Sequence, residues 1–301
     1  ILGSKLLERY TELKDYINSA EFKERKEYLS DPKKFEKSEG YQLEQELKAL
    51  KSDPEIIWYF KTLKANKFDH IRQWNPVFEE SFNTLDGAKW LSIPFQGMLN
   101  LNGKSYVPEG NQQFHTPGNN VKAENNTLII ETRQESATGL RWQQKSGFKM
   151  HNFDYTSGTL NTGHSFRMKS GKIEVLARMT APREVVHAFS LKSDVIAPHI
   201  DVFCSGSKKG VKVRLFLSNQ TQPDFEETIS GINFEHDFLY SLEWEKNKLT
   251  WQINGLTVAE YNGKVPENMM YMAASSVILN KPVNLPAQFI IDSVRVYERQ
   301  N

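Results

Sequence analysis

The sequence predicts a mainly β protein: an antiparallel sandwich of jelly-roll type preceded by a small all-α segment. One observation is a change of texture near residue 75. Before it the chain is rich in Lys, Glu, Leu and Tyr and nearly free of Gly; after it, short apolar or alternating runs are punctuated by Gly, Asn and Pro. The other is the spacing of those runs. Many short strands separated by turn signals suit a sandwich of antiparallel sheets. With 301 residues there is length for a large core and a smaller second unit. The expected division is a helical segment over 1–75 and a sandwich over 76–301.

In the helical segment, "SDPKKF" (30–35) and "SDPEII" (52–57) each place an Asp where it can accept from free helix amides, with Pro at the first helical position. A looser echo links "SAEFKERKEYL" (19–29) with "SEGYQLEQELKAL" (38–50), so several short, weakly repetitive helices are expected. Tyr10, Leu13, Ile17, Phe22, Tyr28, Leu29, Phe35, Leu43, Leu47, Leu50, Ile57 and Phe60 are the expected inward residues. In the second region "TLIIET", "GKIEVLARM", "VKVRLFL", "YSLEWE", "LTWQIN", "TVAEY" and "FIIDSVRVYE" read as strands, and "EKNK" and "NG" as hairpin turns.

Acidic and basic residues nearly cancel, leaving a net charge of +1, so the overall balance points neither to nucleic acid nor to an anionic membrane surface. The single cysteine, Cys204, excludes an internal disulfide framework and a cysteine-based zinc site. No run approaches the roughly 20 apolar residues of a membrane span. The opening "ILGSKLLERY" has no signal-peptide pattern.

Several landmarks occur in a recognisable order: "FNTLDGAKW" (82–90), "YTSGTLNT" (155–162), "SGKIEVLARM" (170–179), "HAFSL" (187–191), "HIDVF" (199–203), "YSLEWEKNKLTWQING" (240–255) and "IDSVRVYE" (291–298). Together they resemble family 16 glycoside hydrolases, of the concanavalin A-like lectin/glucanase superfamily, over about residues 76–299. The resemblance implies two antiparallel sheets with a glycan cleft across one of them. It also implies a catalytic strand of pattern Glu-x-Asp-x-Glu, or a version with one extra residue. Alternate residues of a strand share a face, and a retaining hydrolase needs its nucleophile and its general acid about 5 Å apart.

Aligned on Asp201, this chain has His199 at the nucleophile position. The acid/base position falls on Phe203 in a regular strand or on Cys204 if the strand is bulged. Gly206 follows Asp201 at the unbulged interval, which favours Phe203. Cys204 would then share the Ile200 and Val202 face. Phenylalanine can neither give nor take the proton a glycosidic oxygen requires. Relatives with a Trp-Pro-Ala-Phe-Trp run use its tryptophans as sugar platforms; here Val186 and Ser190 stand in those places.

The resemblance therefore implies an extracytoplasmic protein, without a signal peptide in this chain, that interacts with a β-linked polysaccharide or oligosaccharide and has a degenerate catalytic site: His199, Asp201, Phe203 and Cys204. Trp142, Tyr155, Val186 and Ser190 are the further candidates for contact with the glycan. His199 and Asp201 are open to three readings: relics paired with neighbours, sugar ligands, or part of a rewired catalytic pair with Glu174, His187 or Asp194. An active retaining hydrolase with a non-standard carboxylate pair is thus the alternative, and an assembly protein binding a polypeptide through residues 1–72 is another. No cofactor is required. Asp292 matches an aspartate that binds a structural calcium in some relatives, with Asn126 where a glycine often supplies a carbonyl.

Overall fold

The structure, a computed structural model, describes residues 4–30, 32–65, 73–180, 184–207, 210–219, 221–280 and 284–300. The chain divides into two compact units, residues 1–73 and 74–301.

The first unit contains helices Lys5–Asn18, Ala20–Tyr28, Pro32–Phe35, Glu39–Lys51 and Pro54–Lys64. Their starts are set by side-chain caps. Ser4, Ser19 and Ser38 accept from the amides of Leu7, Phe22 and Tyr41, and Asp53 accepts from Glu55 and Ile56 with Pro54 following it. The cap expected of Asp31 lies outside the described residues. Tyr10, Leu13, Leu47 and Ile56 form a small core, flanked by Ile17, Leu43, Leu50 and Phe60. Two expected inward residues face outward: Tyr28 is 88% exposed and Ile57 51%. The Asp53 cap phases the last helix so that Ile56 and Tyr59, three residues apart, share the buried face, and the adjacent Ile57 is turned away from it.

The second unit is the antiparallel sandwich. Among the described residues one sheet has eight strands, in the order Leu256–Asn262, Lys248–Ile253, Phe238–Glu245, Gly171–Met179, Ala287–Arg299, Thr127–Thr132 and Val121–Glu124, with Trp74–Glu80 also paired to Ala287–Arg299. The other has six: Phe225–Ser230, Gly210–Phe216, His199–Ser207, Val185–Lys192, Tyr271–Ile278 and Thr159–Asn161. Alternation explains the layering. In Gly171–Met179 the odd-numbered residues are buried and the even ones are not, so Ile173, Val175, Ala177 and Met179 meet the inward residues of the opposite sheet.

Trp244 and Trp251 are fully buried scaffold residues, and Asn254 and Gly255, both with positive φ (50° and 79°), close the hairpin that follows Trp251. Two smaller sheets adjoin: Tyr106–Val107, Ala137–Gln143 and Gly147–Phe153 in one, Gln113–His115 and Tyr155–Ser157 in the other.

Candidate functional site: the outer face of the six-stranded sheet

Asp201 sits on a central strand of the six-stranded sheet, and its register identifies the face it shares. Ser190 lies opposite it on one side and Arg214 on the other; Lys192 and Phe216 lie opposite His199. On the next strand Tyr271 and Ala273 stand in register with Lys192 and Ser190. These side chains line the face turned away from the core, called here the cleft face.

The strand does not keep the regular register. Between Asp201 and Cys204 it advances three residues while its neighbour advances two, from Arg214 to Lys212, and the shift is repeated against Phe189 and Ser190. This is a β-bulge at Val202. Its effect is to reverse the alternation beyond that point. Ile200, Val202 and Phe203 all enter the core, and the Phe203 ring stacks 4.0 Å from that of Tyr240. Cys204 falls opposite Ala188 and Lys212, in phase with Asp201 and His199. The expectation that Phe203 lines the cleft face beside Asp201 is thus corrected: Phe203 is a core residue, and Cys204 takes that place on the Asp201 face.

Neither outer position retains a carboxylate, and Asp201 is fully engaged. It is 3% exposed; Ser190 Oγ donates to its Oδ1 at 2.6 Å, Arg214 Nε to its Oδ2 at 2.6 Å, and Trp251 Nε1 to its backbone oxygen at 3.0 Å. His199 stacks on Phe216 with ring centroids 4.1 Å apart, and burial holds its pKa below the usual value. Burial also pushes the Cys204 thiol up to about 12, with the Asp201 charge adding to the effect, which leaves it a protonated, inert side chain at neutral pH.

The proposed helpers of Asp201 lie elsewhere. Glu174 belongs to the eight-stranded sheet and alternates outward, where Lys172 pairs with it at 2.8 Å and Tyr297 donates to it at 3.2 Å. The sandwich core separates it from Asp201. His187 points into that core, with Nδ1 2.7 Å from Ser276 Oγ and Nε2 3.1 Å from the Thr180 carbonyl; burial lowers its pKa to about 4. Asp194 is exposed and accepts from Arg167 at 2.7 Å.

A cavity of about 150 Å³ opens on the same face, away from Asp201. Phe95, Gln96, Tyr106, His115, Lys192 and Tyr271 are among its lining residues. Of the candidate sugar contacts, Ser190 and Val186 are on the cleft face, Val186 opposite Val277 of the cavity lining. Trp142 is 40% exposed on the three-stranded sheet, opposite Phe148, whose ring lies 5.3 Å from that of Tyr106 in the cavity wall. Tyr155 is not brought to this face. It packs against the cluster of Val185, Ile278 and Ala287 and borders a separate open depression with Glu135 and Asp154. Lys192 and Tyr271 were missed by sequence reasoning, since a lysine ending an apolar strand reads as an ordinary solvated terminus.

Asp292, the expected calcium residue, has Oδ1 buried without a hydrogen-bond partner and Oδ2 3.4 Å from Arg178, which also binds Asp237. Burial, with the Asp237 charge, raises its pKa. Among the described residues no group of three or more His, Cys, Asp or Glu side chains is placed to hold a metal. Asp292 Oδ1 is the side-chain oxygen here that a calcium ion would take.

The second unit is a jelly-roll sandwich with a cavity on the cleft face of one sheet and a bulged His-x-Asp strand in that sheet. The chain belongs to the glycosyl hydrolases family 16, whose model matches residues 109–284. Among curated proteins none matches. Solved structures share the fold. The catalytic domain of an endo-1,3-β-glucanase (laminarinase) from Thermotoga petrophila RKU-1 is 19% identical, with TM-score 0.60 over 76% of this chain and 99% of that one. A laminarinase from Flavobacterium sp. UMI-01 is 22% identical, with TM-score 0.56 over 74% and 100%. The κ-carrageenase from Pseudoalteromonas carrageenovora is 16% identical, with TM-score 0.57 over 74% and 94%. No described helix is long and apolar enough to cross a membrane.

Proposed function

We propose that this protein is a glycan-binding member of its family that has given up hydrolysis: an extracytoplasmic carbohydrate-interacting pseudo-enzyme that holds a β-linked glycan on the cleft face. One observation carries the reading. The positions of the two catalytic glutamates are His199 and Cys204, and both oxygens of the remaining Asp201 are occupied by Ser190 and Arg214. Retaining hydrolysis requires a free carboxylate as nucleophile and a carboxylic acid beside it. Among the described residues the cleft-face carboxylates Asp201 and Glu226 are both held in ion pairs, with Arg214 and Lys212.

Glycan panels separate binding from turnover. The full chain and its Asp201→Ala variant are assayed for binding and for new reducing ends on β-1,3-glucan, mixed-linkage glucan, galactan and xyloglucan. The first is included because two of the neighbours are laminarinases. Binding without new reducing ends is the expected result; cleavage that disappears in Asp201→Ala would overturn it.

A further inference from the structure

We propose that the cavity beside Lys192 recognises an acidic sugar, so that the preferred ligand is a β-linked glycan carrying carboxylate or sulfate groups. This deepens the glycan-binding reading and rests on it. The first support is the pairing of charges across the cleft face. Arg214 is matched by Asp201 at 2.6 Å, Lys212 by Glu226, and Arg167, over the Phe95 and Tyr271 rings, by Asp194 at 2.7 Å. Each carboxylate is taken by its own neighbour. Lys192 has no ion pair or hydrogen bond among the described residues, although it is partly buried and lines the cavity.

An unpaired ammonium is costly to bury, and strands normally place a lysine where water or a carboxylate meets it. Here burial holds the Lys192 pKa below its usual value, while the Asp201 charge opposes the shift from beyond ion-pair distance. The Lys192 charge in turn disfavours protonation of His115 and His199. An anion entering the cavity would remove that cost.

The second support is the donor beside it. Tyr271 is in register with Lys192, and its hydroxyl accepts from Gln96 at 3.1 Å, which leaves its own O–H to donate. Two donors side by side on the floor, one of them cationic, suit a carboxylate or sulfate oxygen pair. Around them Phe95, Tyr106 and Tyr271 supply aromatic surface in a space the size of one sugar residue. A neutral hexose would leave the ammonium unmatched.

The test compares three forms of one β-1,3-glucan oligosaccharide, neutral, oxidised at C6 to the uronate, and sulfated, binding the full chain by calorimetry at low and moderate salt. At least one charged form is expected to bind tenfold or more tighter than the neutral one, with the preference shrinking as salt rises; whichever form gains identifies the group. Lys192→Met is expected to abolish the preference, and Lys192→Arg to keep most of it. Equal binding of all three forms, or a preference unchanged in a folded Lys192→Met protein, would overturn the inference and leave the glycan-binding reading standing. No binding of any form across the panel above would overturn both.

Discussion

The two halves of the cleft face are built to opposite rules. Around Asp201 the polar groups satisfy one another: serine, guanidinium and tryptophan converge on one residue, and a stacked histidine closes the edge. Around Lys192 the groups face outward, an unmatched ammonium and a phenol with a spare proton beside a cavity. A site that completes itself contributes to folding, whereas one left incomplete awaits a ligand. In this chain the surroundings of Asp201 are of the first kind and those of Lys192 of the second.

Acid should break the cavity half most severely. His115 lines it, with Nε2 3.1 Å from the Ser276 carbonyl oxygen, and on the core side of the sheet His187 Nδ1 lies 2.7 Å from Ser276 Oγ. Burial lowers both histidines to about 4 from the 6.5 of an exposed imidazole. Above pH 6.5 neither folded nor unfolded chain protonates them and no cost arises; below about 4 both states are protonated and the folded state bears the full cost. Stability should therefore fall as pH drops through this window, by on the order of 2–3 kcal/mol per histidine. Urea titrations across the range check it, and His187→Gln should reduce the slope.

Asp201→Ala should be next in size. It strands Arg214 and Ser190, with a loss of about 3 kcal/mol in denaturant stability. Lys192→Met should act in the opposite direction, raising stability at neutral pH by about 1 kcal/mol, because an unmatched cation is removed. A destabilised Lys192→Met protein would show that the two halves are not built differently after all. Calcium should have the smallest effect. Any shift it produces in Tm should be no more than about 2–4 °C and should vanish in Asp292→Asn.

Much of the sandwich was legible because period-two alternation and hairpin chemistry are local. The strands around Val175, Trp251 and the Asn254–Gly255 turn follow directly from them. The bulge was less legible, because Ile200 and Val202 alternate regularly and Gly206 fits an unbulged count. The available signal was two consecutive apolar residues, Val202 and Phe203, on a strand with one polar face. What decides the matter is distant in sequence: Tyr240 and Phe289 offer Phe203 a ring-lined place in the core. The engagement of Asp201 and the solitude of Lys192 were likewise invisible, since each depends on which residues neighbouring strands bring opposite.

The surplus residue at Val202 has one more consequence. By keeping Cys204 in step with His199 and Asp201, it sets three side chains of one strand on the same face. The backbone therefore presents these three positions together, whatever side chains they carry. His199→Glu with Cys204→Glu would place acids on both sides of Asp201 without re-routing the strand, which makes this chain a scaffold on which a three-carboxylate face can be built by point changes.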